Sequence, residues 1–156
     1  MIKKVIFIIV IAMTSMSVFS ENLIRPFVSG SYSQILEQHK DKPFALVLWS
    51  LDCPSCYKEL EMLGQLNNNN PNLTIILVST DIEATEDELK IVLSKYNLAN
   101  YELWVFRGDS DQRLRFEIDP RWYGELPRSY VFNEKNNKKV VSGILDADKL
   151  LTWIKY

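Results

Sequence analysis

Apolar residues along this chain follow two different rhythms, and the alternation between them outlines the fold. Phe44-Ala-Leu-Val-Leu-Trp49 is an unbroken apolar run and Leu73 to Val78 is nearly one, the pattern of strands buried on both faces. Tyr101 to Phe106 reads as a further strand. Between these runs the apolar positions switch to helical spacing. Tyr32, Ile35, Leu36 and His39 fall on one face behind Ser31-Tyr-Ser-Gln34, which has capping-box spacing, and Asp41-Lys-Pro43 ends that helix. Cys56, Tyr57, Leu60, Leu63 and Leu66 make a second helical face, followed by a loop predicted at Asn67 to Asn70 ahead of Pro71. Thr85-Glu-Asp-Glu88 is another capping box, opening a helix with Leu89, Val92, Leu93 and Tyr96. Asp109 or Ser110 caps a short helix carrying Leu114, Phe116 and Ile118. Ser129 to Phe132, the polar turn Asn133 to Asn137 and Lys138 to Ser142 read as a hairpin. Asp146 then caps a last helix with Leu150, Leu151, Trp153 and Ile154. Strand–helix alternation closed by a hairpin and a helix predicts an α/β domain with a mixed sheet.

The first 20 residues obey neither rhythm. Lys3 and Lys4 precede nine apolar residues, Val5 to Met13, and the more polar Thr14 to Ser20. Val18 and Ser20 fit the small-residue rule for cleavage after Ser20, so residues 1–20 are predicted to be a signal peptide and 21–156 the folded domain. The alternative is an uncleaved anchor, for which the apolar run is short against the ~20 residues of a membrane span. Cleavage removes two lysines and no acids, leaving 136 residues with 16 basic and 20 acidic side chains, net −4. An exported, weakly acidic domain is a poor partner for nucleic acid or anionic membrane. Five arginines between Arg107 and Arg128 are matched by Asp109, Asp111, Glu117, Asp119 and Glu125, so this stretch is read as a solvated mixed surface.

Two cysteines and one histidine, His39, in 156 residues leave no material for a disulfide-rich scaffold or a histidine-built metal site. The two cysteines are instead placed for chemistry. Cys53-Pro54-Ser55-Cys56 follows a buried strand and opens a helix, so Cys53 sits where unpaired amides and the helix dipole favour a thiolate. Pro54 suits the first helical turn. Cys56 lies three residues on, on the same face and within disulfide reach. The pair would be a weak staple, since a loop of about four residues restrains the unfolded chain by only about 2 kcal/mol.

With these residues in view the sequence resembles the thioredoxin fold and, within it, the TlpA/ResA-like exported thiol–disulfide oxidoreductases. The resemblance rests on Phe44-Ala-Leu-Val-Leu-Trp-Ser-Leu-Asp-Cys-Pro-Ser-Cys56, on Glu125-Leu-Pro-Arg-Ser-Tyr-Val-Phe132 and on the hairpin with Gly143, and spans about residues 30–155. It implies a three-layer fold with a mixed central sheet, flanking helices and a central insertion at Asp81 to Tyr96. It also implies that Pro127 is cis and lies beside the cysteines, with Leu126 offering backbone groups to an extended substrate. Three departures stand out. Asp52 precedes Cys53 where the family often has an aromatic, and its charge would oppose thiolate formation. Val47 replaces the buried acid that thioredoxin places six residues before its first cysteine, which leaves Glu59 and Asp52 as candidates for moving a proton at Cys56. Trp122 and Tyr123 add an aromatic pair that would wall a peptide groove or pack in the core.

These readings converge on disulfide exchange with an exported protein substrate. Cys53 attacks and Cys56 resolves, with Asp52, Pro54, Ser55 and Glu59 tuning the pair. Pro127, Leu126, Trp122 and Tyr123 meet the substrate. The direction leans toward reduction, no organic cofactor is required, and a membrane-side redox donor would recharge the dithiol. The location would be periplasmic if the source is a Gram-negative bacterium. Alternatives from other classes are a Cu(I)-binding module using the same two thiolates and a non-catalytic interaction domain.

Overall fold

The computed structural model describes residues 24–108 and 110–155. The predicted leader, its cleavage point and Asp109 lie outside them. The chain runs β1 (Arg25–Phe27), α1 (Ser31–Gln38), β2 (Phe44–Trp49), α2 (Pro54–Asn69), β3 (Ile75–Ser79), α3 (Glu86–Lys95), β4 (Glu102–Phe106), α4 (Asp111–Ile118), β5 (Arg128–Phe132), β6 (Lys138–Ser142) and α5 (Ala147–Lys155). The strands form one sheet in the order β1-β4-β3-β2-β5-β6. β1, β4, β3 and β2 are parallel, and β5 and β6 are antiparallel additions on the far side of β2.

Alternating side chains of the central strands feed two cores, the reason β2 and β3 are apolar throughout. Ala45, Val47 and Trp49 of β2 face a cluster with Leu60 and Leu63 of α2, Leu89 and Leu93 of α3 and Leu150 of α5. Phe44, Leu46 and Leu48 face the other, with Tyr32 and Ile35 of α1 and Leu114 and Ile118 of α4. The result is three layers: α1 and α4, the sheet, then α2, α3 and α5. The α3–β4 unit adds a parallel strand between β3 and β1, in the region where an insertion was expected.

Several local expectations are corrected. Ser31 does not cap α1: Gly30 is the N-cap, and the Ser31 hydroxyl accepts from the Val28 amide at 2.9 Å. The asparagine run is not a loop, because α2 continues through Asn69. The Asn69 and Asn70 side-chain amides donate to the Gln65 and Leu66 carbonyls, replacing helix bonds that a terminus would otherwise lose. Phe116 is on α4 as expected but is exposed rather than packed with Leu114 and Ile118. β1 was not foreseen. Its three residues pair in register with Trp104 to Phe106, and Phe27 packs against the Trp104 and Phe106 rings. The capping box at Thr85 and Glu88 and the Ser110 and Asp146 caps form as predicted.

Candidate active site

Parallel strands bring their carboxyl ends to one end of the sheet, and the candidate residues gather there. β2 delivers Ser50 to Asp52 and then Cys53, the N-cap of α2, with Pro54 as the first helical residue. Cys53 and Cys56 form a disulfide. Cys53 is 9% exposed and Cys56 fully buried, so the first cysteine is the more accessible of the two. The Cys53 Sγ accepts from the Cys56 amide at 3.2 Å and lies 3.6 Å from the Ser55 hydroxyl. Donors at a helix start that already point at Cys53 are the ones that would stabilise a thiolate after reduction.

The turn before Cys53 is tied down from the neighbouring strand. The Asp81 carboxylate, just past β3, accepts from the Ser50 hydroxyl at 2.7 Å, the Leu51 amide at 3.0 Å and the Ser79 hydroxyl at 2.7 Å. Ser50 in turn accepts from the Asp52 amide through its hydroxyl and from the Cys53 amide through its carbonyl. The loop holding Asp81 is gripped by Arg107, whose guanidinium donates to the carbonyls of Asp81, Ile82, Ala84 and Phe106. Asp52 itself is exposed. It adds to the raised pKa of the Tyr57 phenol, which follows from partial burial first and then from the charges of Tyr96, Asp52 and Asp81.

On the other side of β2, Leu48 stands opposite Arg128. The antiparallel run therefore brings Pro127 and Leu126 level with the residues that lead into Cys53. The Leu126–Pro127 bond is cis, and the Pro127 carbonyl accepts from the Gly143 amide at 2.9 Å. Leu126 is partly buried against both cores, one of which contains Cys53 and Cys56. The aromatic pair divides. Trp122 is 4% exposed, packs in the α1–α4 core and donates to the Glu125 carbonyl at 2.8 Å, while its edge lines a surface cavity together with Phe116, Pro120 and Tyr123. Tyr123 is 89% exposed.

Glu59, one turn after Cys56 on the same face of α2, is completely buried. Its Oε1 accepts from the Ser129 hydroxyl and the Leu145 amide, both at 3.1 Å, while its Oε2 has no partner among the described residues. Ser129 is the β5 residue opposite Val47. A carboxyl thus fills the neighbourhood of the missing acid at 47 from the helix instead of the strand. Burial pushes the Glu59 pKa up to about 7, against the two hydrogen bonds that hold it down.

Sequence reasoning missed Asp81, Arg107, Asp119 and Arg128. Asp81 was signalled by Ser79-Thr80-Asp81, an abrupt polar step after an apolar strand. Arg107, Asp119 and Arg128 were hidden in a stretch of mixed charge. Burial works to raise the Asp119 carboxyl, but the Arg121 amide and the Arg128 and Arg121 guanidinium groups outweigh it and hold it below the usual carboxylate range. The His39 side chain is taken up by packing and pairing within the fold. Its ring packs on Phe44 and its Nε2 lies 3.3 Å from Glu102.

No family model matches the chain, and no curated protein matches it by sequence. Solved structures share its fold. A secreted disulfide oxidoreductase of Mycobacterium tuberculosis is 23% identical, over 76% of this chain and 84% of that one, with a TM-score of 0.58. StoA from Bacillus subtilis is 23% identical over 74% and 84%, with a TM-score of 0.54. A thiol:disulfide interchange protein of the thioredoxin family from Chlorobium tepidum is 16% identical over 77% and 85%, with a TM-score of 0.58. At these identities the likeness establishes the architecture: the chain has a thioredoxin-like fold.

Proposed function

We propose that this protein is an exported thiol–disulfide oxidoreductase of the TlpA/ResA-like kind, exchanging disulfides with protein substrates and acting as a reductant. The observation that carries this reading is the Cys53–Cys56 disulfide at the start of α2, with the first cysteine at the edge of the core, the second completely buried and a buried carboxyl one turn further on. A disulfide built only for stability has no use for that asymmetry.

In the reduced protein the Cys53 thiolate attacks one sulfur of a substrate disulfide. An S–S bond forms between Cys53 and the substrate, the substrate S–S bond breaks, and the leaving thiolate takes a proton from water. Cys56 then loses its proton and attacks the Cys53 sulfur, closing the Cys53–Cys56 disulfide and releasing the second substrate thiol. Two electrons pass from the dithiol to the substrate. Glu59 is the proposed acceptor of the Cys56 proton. Residues three apart on a helix are neighbours, and a carboxyl with a pKa of about 7 can take and return a proton near neutral pH. Asp52, Pro54 and Ser55 tune the pair from its own turn. Leu126, Pro127, Trp122 and Tyr123 are the proposed substrate contacts. Each turnover leaves the disulfide, so a membrane-side dithiol donor is the proposed source of reducing equivalents. Among the described residues no helix is long and apolar enough to cross a membrane.

The test is a trap. Cys56→Ser leaves the mixed disulfide unresolved, so covalent adducts with exported proteins accumulate, and replacing Cys53 as well abolishes them. Adducts that persist without Cys53 would overturn the assignment of the attacking thiol. Absence of adducts together with failure to reduce insulin would overturn the activity, and tight 1:1 Cu(I) binding by that inactive protein would favour a metal-binding module.

A further inference from the structure

Arg128 is the first residue of β5, immediately after Pro127, and its side chain is only 9% exposed. Its Nη2 donates to Asp119 Oδ2 at 3.0 Å and its Nη1 to Glu125 Oε1 at 2.9 Å and to the Ser142 hydroxyl. Its Nε donates to the Tyr130 hydroxyl at 3.2 Å, and the guanidinium lies over the Tyr130 ring at 5.3 Å. Burying such a group gives little net stability compared with apolar packing, so its effect is better sought in what it holds in place.

Its two acidic partners bracket a loop. Asp119 is the C-cap of α4, and Glu125 stands two residues before Pro127. Between them the backbone is secured from both ends. The Arg121 amide donates to Asp119 Oδ1 at 3.0 Å and the Trp122 amide to the Asp119 carbonyl at 2.9 Å. The Tyr123 amide donates to Glu125 Oε2 at 3.2 Å. Gly124 adopts φ +100, which a side chain would strain, and an added Cβ would lie 3.1 Å from Arg115 Nη1. The Tyr123 ring is therefore fully presented to solvent on a backbone that is fixed. A contact held ready in this way costs less entropy to use on binding.

We infer that Arg128 is a positioning residue: through Asp119 and Glu125 it presets the 119–127 loop, so that Tyr123 and the cis Leu126–Pro127 bond meet a polypeptide flanking the substrate disulfide. The inference rests on the oxidoreductase reading and adds to it a basis for preferring protein disulfides over small ones. A small disulfide needs only to reach the Cys53 sulfur, whereas a protein disulfide brings chain on either side that must cross this loop.

The experiment compares the full domain with Arg128→Met and Glu125→Ala, using insulin and glutathione disulfide as substrates. The expected result is a KM for insulin raised about five-fold or more in both, with kcat and the rate with glutathione disulfide within about two-fold of the parent. A fall of the same size with both substrates would show a merely structural role and overturn the inference, as would an unchanged KM for insulin. Arg128→Met leaves Asp119 buried without its partner and risks unfolding. Glu125 is half-exposed and its loss leaves the Arg128–Asp119 pair intact, so Glu125→Ala decides the matter alone if needed. If the parent reacts with neither disulfide, the oxidoreductase reading has failed. If it reacts with both and the variants match it, only the role of Arg128 has.

Discussion

Glu59 ties the chemistry of the site to the stability of the fold. With its pKa lifted to about 7 by burial, the folded protein keeps a proton that the unfolded chain has already released. Stability therefore falls as pH rises from the ordinary carboxylate range through about 7, and the deficit above that is on the order of 3 kcal/mol. Glu59→Gln removes the ionisation while keeping an acceptor oxygen for Ser129 and Leu145. Urea unfolding of the oxidised proteins should show the variant gaining up to about 3 kcal/mol over the parent at pH 8 and little at pH 5. A parallel pH dependence in both would assign the effect elsewhere. Glu59 was legible in the sequence as a candidate because Val47 leaves the expected acid missing from the strand, which points to another carboxyl near Cys56. Its complete burial was not, since that depends on Ser129 and Leu145, 70 and 86 positions away. Arg128 was misread for the same reason. Locally it belongs to a mixed-charge stretch, and only the pairing of β5 with β2 and β6 draws it inside.

Element by element, the sequence announced what its own neighbours determine. The apolar runs of β2 and β3, the capping box of α3 and the CxxC at the start of α2 all appear where patterning put them. What escaped depends on partners elsewhere in the chain: β1 is too short to show a period, and its strand character comes from pairing with β4. Gly64 is another such case. An added Cβ would lie 2.0 Å from the Tyr96 carbonyl oxygen, so α2 passes against the end of α3 at a distance only glycine permits. Alanine is the better helix former by about 1 kcal/mol, yet Gly64→Ala should destabilise by about 1–3 kcal/mol through overpacking. A shift of the thermal midpoint upward would show that the two helices can separate freely.

For the molecule as a whole, the disulfide belongs to the chemistry more than to the architecture. Two cores, one on each face of the sheet, are built from residues of ten elements, and the closed loop is only about four residues long. Reduction should therefore lower stability by about 2 kcal/mol and leave a folded, cooperative protein. Loss of the near-ultraviolet circular dichroism of the buried aromatics on reduction would contradict this. The proposed exchange, in which the disulfide is alternately closed and opened, requires that independence. The same sheet carries one more consequence at its borders. Among the described residues the sheet ends in two open strand edges, each a template for unwanted lateral growth. One edge is β1, three residues long with Pro26 at its middle. The other is β6, where Lys138 and Lys139 are held over the Tyr130 and Trp153 rings. A short, proline-broken border on one side and a lysine-studded one on the other discourage other chains from pairing onto the sheet.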